Sequence, residues 1–174
     1  LSKQVQAPVK LIWTREDDFS NGPYRPGMIS AMKGGIDAQG KLVAWEHKVA
    51  GASIGHQAFG DNLNGKPDGW AAETIDRETS PYDIPNRRQA HVHHDTDIPI
   101  VWWRSVYSST NAFGQECFMD EMAHAAGKDP LDFRLDMLQN SPRWVALLNK
   151  LAEISDYRRQ RAAGKAVGIA ISHC

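Results

Sequence analysis

Several things are scarce in this chain, and each shortage closes off a class of protein. There are two cysteines in 174 residues. Cys117 lies inside a helical pattern and Cys174 at the end, so neither a disulfide framework nor a CxxC metal site can be built from them. That count leaves the compartment open between cytoplasm and periplasm. The net charge is −1, which gives no electrostatic footprint for nucleic acid or an anionic membrane. No apolar run approaches the roughly 20 residues that a membrane span requires, and no signal-peptide pattern is present. Walker, GxGxxG and GxSxG motifs are all missing, so nucleotide folds and serine-type hydrolysis have no foothold. The chain starts at Leu1 rather than Met, and residues 167–171 resemble a strand cut short, so a piece of a longer protein is expected.

What is present is enough apolar material, 41% of residues, to bury a core. Residues 9–13 are a short apolar run after Pro8 and predict a strand. Apolar and polar residues alternate over 28–36 and 42–49, and Asp37-Ala38-Gln39-Gly40-Lys41 between them supplies turn chemistry, so a β-hairpin is predicted there. Residues 51–80 are rich in Gly, Asn and Asp without a clear period and predict a long loop, with a short helix around 70–74. Strands are predicted over 89–96 and 98–103.

After Arg104 the period becomes helical. Ser108-Ser109-Thr110 offers a cap and Gly127 a C-terminal stop. Asp129-Pro130 and Ser141-Pro142 each restart a helix, the second carrying Trp144, Leu147, Leu148, Leu151 and Ile154 on one face. Strands precede helices in a block, which predicts an α+β fold: a mixed or antiparallel sheet with a hairpin, then two to three packed helices. The expected division is a mostly β portion over 1–106, a helical portion over 107–156, and a basic linker with a truncated strand over 157–174.

Three clusters invite chemistry. His91, His93 and Asp95 would face one way on a strand and could share an ion, but no further ligand stands at a supporting spacing, so a plain surface strand is the preferred reading and no metal site is assigned. Glu16-Asp17-Asp18 reads as a helix cap or a solvated cluster rather than an acid–base pair, and Asp120-Glu121 as a solvated helix face. Arg104 ends the apolar run Ile98-Pro99-Ile100-Val101-Trp102-Trp103, where burial is expected, and a buried guanidinium needs an anion or carbonyl partner. The residues alone favour a structural salt bridge over a bound oxyanion. Small polar Ser105, Ser108 and Ser109 beside it keep the second reading open.

Longer stretches carry a resemblance. Trp102-Trp103-Arg104-Ser105-Val106, Asn111-Ala112-Phe113, Glu116-Cys117-Phe118-Met119-Asp120-Glu121 and Ala125-Ala126-Gly127-Lys128-Asp129-Pro130-Leu131-Asp132-Phe133-Arg134 occur in order. Earlier come Ala7-Pro8-Val9-Lys10-Leu11-Ile12-Trp13-Thr14-Arg15-Glu16-Asp17-Asp18-Phe19, Tyr24-Arg25-Pro26 and Tyr82-Asp83-Ile84-Pro85-Asn86. Together they resemble the molybdenum-binding large subunit of the xanthine dehydrogenase/aldehyde oxidase family, above all its isoquinoline 1-oxidoreductase beta-subunit branch. The resemblance implies a molybdenum atom on molybdopterin, as the cytosine dinucleotide, and a small partner subunit with [2Fe–2S] clusters. It implies oxidation of an N-heterocycle or aldehyde with water as oxygen source, and a cofactor-binding turn at Arg104, Ser105 and Val106. Xanthine-type members have Gly and Phe where this chain has Ser105 and Val106, so a purine substrate is not expected. The family's catalytic glutamate has no counterpart here, and no catalytic residue is assigned. The alternative is a non-catalytic module that docks a redox partner.

Overall fold

A computed structural model describes residues 1–76, 78–162 and 166–172; Cys174 lies outside them. In chain order the elements are α1 (Ser2–Val5), α2 (Arg15–Asn21), β1 (Met28–Ile36), β2 (Leu42–Gly51) and α3 (Ile54–Phe59). A 3-10 turn (Trp70–Ala72) precedes β3 (Asn86–His93). Then come α4 (Ser108–Ala125), α5 (Pro130–Asp136), α6 (Pro142–Ile154) and α7 (Tyr157–Ala162). The fold is α+β, with strand order β1-β2-β3. β1 runs antiparallel to β2, and β3 runs parallel to it, so the sheet is mixed.

The hairpin forms where the alternation places it. Asp37 Oδ1 accepts from the backbone N–H groups of Gln39 and Lys41, and Gly40 takes the positive φ of 71° that closes the turn. β2 lies in the middle, and Leu42, Trp45, His47 and Val49 are buried on it, whereas β1 is a largely exposed edge. Helix α4 packs on the hairpin so closely that a Cβ on Gly34 would stand 2.5 Å from Met122 Sδ. Trp45 meets Phe118 with ring centroids 5.1 Å apart. Around them Leu42, Met119, Leu131, Phe133, Leu138 and Leu148 form the main core. Each such side chain contributes about 1.5–3 kcal/mol through burial. A second, smaller core gathers Ala52, Ile54, Ala71, Ile100 and Tyr107.

The helix starts follow capping chemistry. Thr14 and Asp17 form a reciprocal capping box at α2, which is how the Glu16–Asp18 cluster is used. Asp129 accepts from the N–H groups of Leu131 and Asp132, and Pro130 fills the first helical position of α5. At α4 the expected cap fails: Tyr107 is the N-cap without a side-chain bond, and Ser108 to Thr110 are already inside the helix.

Other expectations are corrected by partners that the sequence cannot supply. Residues 9–13 are exposed and not a strand, because no described strand pairs with them. Residues 98–103 contribute only a bridge between Ile100 and Tyr24. Residues 167–171 are irregular, although Ile169 and Ile171 are buried in the main core. The basic linker is helical from Tyr157 to Ala162. Residues 51–80 hold α3 as well as the short turn. On α6 only Leu148 of the apolar face is buried, while Leu147, Leu151 and Ile154 stay exposed. Among the described residues no helix is long and apolar enough to cross a membrane.

Candidate functional site

A buried guanidinium does gather anionic partners in this fold, but it belongs to a different arginine. Arg134 is fully buried, with Nε 3.0 Å from Glu116 Oε2 and Nη1 2.6 Å from Asp120 Oδ1. Its Nη2 donates to the Glu116 carbonyl at 3.0 Å. Glu116 also accepts from Tyr82 Oη at 2.9 Å and from the Ile171 N–H at 3.1 Å. Burial pushes the Glu116 carboxyl up against the pull of Arg134. Asp120 is therefore a partner of this buried arginine, although its own side chain stays part-exposed. This network locks α4 to α5 and is structural.

Arg104 is exposed, contrary to expectation. Its guanidinium has no hydrogen bond or ion pair among the described residues. The chain turns sharply there: Ser105 has φ +64° and Val106 φ +37°, two consecutive left-handed residues that are not glycine. For a β-branched residue that conformation is an outlier costing on the order of 1–3 kcal/mol. Something has to hold it, and that residue is Arg25. Its Nη1 donates to the Val106 carbonyl and to Ser109 Oγ, each at 2.6 Å, and its Nη2 donates to the Arg104 carbonyl at 2.8 Å. The Arg25 fork thus occupies the turn's carbonyls, while the backbone N–H groups of Arg104 and Ser105 have no acceptor among the described residues.

The loop 51–80 backs this turn. Tyr107, fully buried, donates its hydroxyl to the Ala52 carbonyl at 2.7 Å and accepts from the Ile54 N–H at 3.0 Å. Burial pushes the Tyr107 phenol up to about 12. Asn111 Nδ2 donates to the carbonyls of Ala71 and Glu73, both at 2.9 Å. The Glu73 carboxylate lies 3.4 Å from Ser108 Oγ at the start of α4, and burial raises its proton affinity. Trp102 packs between Phe59 and Trp70, with centroids 4.9 and 5.7 Å away. An open, mostly apolar groove of about 950 Å³ runs from Tyr24 and Arg25 past Met28 and Ile29 to Ile98 and Ile100.

The sequence places Arg104, Ser105 and Val106 together, and the structure keeps them in one turn. The clamp is not visible at that level. The signal available for Arg25 is its place in Tyr24-Arg25-Pro26, which carries a likeness and no role.

Residues 1–138 match the molybdopterin cofactor-binding domain. The chain belongs to that family. The domain is 29% identical over 176 residues to the beta subunit of isoquinoline 1-oxidoreductase from Brevundimonas diminuta, covering 97% of this chain and 22% of that protein. It is 30% identical over 161 residues to a nicotinate dehydrogenase subunit from Pseudomonas putida, covering 91% of this chain and 14% of that protein. In three dimensions it is similar to quinoline 2-oxidoreductase from Pseudomonas putida 86, with a TM-score of 0.72, 20% identity, and coverage of 94% of this chain and 22% of that one. The domain therefore spans less than a quarter of the proteins it matches.

The turn suits a molybdopterin group. Two backbone donors without an acceptor and a guanidinium without a counter-charge among the described residues stand side by side, a donor set that suits oxygen-rich, anionic groups.

Proposed function

We propose that this domain is part of the large subunit of a molybdenum hydroxylase. The intact enzyme hydroxylates an N-heterocycle of the isoquinoline kind or oxidises an aldehyde, with water as the oxygen source. The cofactor is molybdopterin as its cytosine dinucleotide, and electrons pass to [2Fe–2S] clusters on a small partner subunit. Support for the substrate class comes from relatives named for isoquinoline and nicotinate, and from Ser105 and Val106 standing where a purine-handling turn differs.

One observation carries the site assignment: a strained turn, held by Arg25, that presents the Arg104 guanidinium and N–H groups without an acceptor among the described residues. When bound, the molybdenum–pterin group supplies the two-electron chemistry. The chain's own part is electrostatic and geometric. Arg104, with the Ser105 N–H, binds and orients an anionic oxygen. Val106, whose N–H is bonded to the Trp103 carbonyl and whose carbonyl is held by Arg25, belongs to the same wall by shaping the turn. No residue of this chain is assigned the role of proton-transfer base.

The test is Arg104→Ala in the full-length protein, with molybdenum content and turnover measured together. Both are expected to fall, turnover by about 100-fold if one preorganised donor is lost. Unchanged values would remove the turn from the cofactor pocket. The docking-module alternative draws on the exposed Leu147, Leu151 and Ile154 face of α6, and full-length protein that purifies without molybdenum would favour it.

A further inference from the structure

Outside the Arg104 turn, three side chains from two segments of the chain converge on one point. The ligand atoms of His56 on α3, His93 at the end of β3 and Asp95 just after it all lie within 4.8 Å of one another. His93 Nε2 is 2.9 Å from Asp95 Oδ1, and His56 Nε2 is 3.6 Å from Asp95 Oδ2. The two imidazoles meet edge to face at 4.9 Å between centroids. The sequence grouping of His91, His93 and Asp95 is thus altered by folding. His91 instead accepts from the Asp68 N–H through Nδ1, and His56 arrives from 37 residues upstream.

The tautomer of His56 gives this cluster its chemistry. His56 Nδ1 lies 2.8 Å from the Asp61 carbonyl oxygen, which can only accept. Nδ1 therefore carries a proton, and whenever the ring is neutral Nε2 presents a lone pair. That lone pair faces the Asp95 carboxylate at 3.6 Å. A cation placed between them, a proton on Nε2 or a metal ion, satisfies both atoms. The Asp61 contact is also the outer-shell hydrogen bond that metal-ligating histidines make, fixing ring orientation and raising basicity.

We infer that His56, His93 and Asp95 form a binding site for a divalent transition-metal ion of the zinc type. Two imidazoles and one carboxylate are the ligand types that such ions take at about 2.0–2.2 Å, leaving a fourth position for water. A tetrahedral site asks for donor separations of about 3.4 Å, so side-chain rotations from the present spacing suffice. On binding, the His93 proton moves from Nε2 to Nδ1. The ion would fasten α3, and with it the start of the 51–80 loop, to the end of the parallel strand β3. This is a structural clasp, separate from the Arg104 turn and independent of its assignment.

The experiment uses the full-length protein after chelator washing, titrated with zinc ion by calorimetry and with cobalt(II) by visible absorbance. One saturable equivalent beyond any metal that survives the chelator wash is expected, with the absorption of four-coordinate cobalt. His56→Ala and Asp95→Asn should each weaken that site by at least about tenfold. His94→Ala, an exposed neighbour outside the cluster, should leave it unchanged. Zinc should also raise the melting temperature of the wild type and not of His56→Ala, which separates lost binding from lost folding. No saturable binding at millimolar zinc, or equal affinity in His56→Ala and wild type, overturns the site.

Discussion

Arg25 and Val106 meet across 81 residues of sequence, the Arg25 guanidinium donating to the Val106 carbonyl at 2.6 Å. The contact explains how a β-branched residue can stand at φ +37° without the turn relaxing. It also divides the labour between two arginines. Arg25 directs its donors inward to the turn's carbonyls, and Arg104 keeps its own facing out.

Arg25→Ala should therefore act on the proposed cofactor turn without touching any ligand. The loss of a charge-assisted fork is expected to cost about 2 kcal/mol and to lower molybdenum retention in the intact protein. Arg25→Lys should rescue little, because a point charge cannot bridge two carbonyls and a hydroxyl in the geometry of a planar fork. Urea midpoints and molybdenum content of the two variants check this, and full rescue by Lys would show that charge alone matters.

Ser105 is strained by its left-handed backbone, whereas glycine would not be. Ser105→Gly should raise stability by up to about 1 kcal/mol, the relief of strain exceeding the added freedom of the unfolded chain. A lower melting temperature in this variant would mean that the Ser105 side chain makes a contribution larger than the strain.

The Arg134–Glu116 pair should show the asymmetry of buried charges. Arg134→Met alone leaves Glu116 buried without its cation and is expected to cost about 3–5 kcal/mol. The double variant Arg134→Met, Glu116→Leu should recover much of that loss, because both charges leave together. Equal destabilisation by single and double variants would contradict the buried-pair account.

His47 makes a prediction in pH. It is fully buried, with Nε2 3.0 Å from Ser30 Oγ, and burial, reinforced by the Arg87 charge, pushes it down to about 4. In the unfolded chain it titrates at its ordinary 6.5. Between these values the unfolded state binds more protons, so stability falls as pH drops from about 6.5 towards 4, by about 3 kcal/mol in all. His47→Leu should flatten that segment of the stability–pH curve measured by urea unfolding.

The parts of the fold that are readable in the sequence are those set by local chemistry. The hairpin needs only alternation and a turn with Asp37 and Gly40, and α5 needs only Asp129 and Pro130. What is unreadable depends on partners distant in sequence. Residues 9–13 have strand composition but no described strand beside them. Arg134 sits on a helix whose spacing gives no sign that Glu116 and Asp120 will enclose it, so Arg104 is the more conspicuous cation in the linear chain. The turn is marked in the sequence only by likeness. Its geometry and its clamp are not marked at all, because strain at Val106 and a donor at Arg25 leave no trace in a linear pattern.

The span between Arg25 and Val106 has a consequence for the order of assembly. A ribosome releases Arg25 well before the turn it will hold, and closing a loop of that length is entropically slow beside the local formation of α4 or the hairpin. The strained turn is thus clamped only after both ends of that loop have been ordered. What holds the turn is set by the whole of the intervening chain, and not by the residues on either side of it.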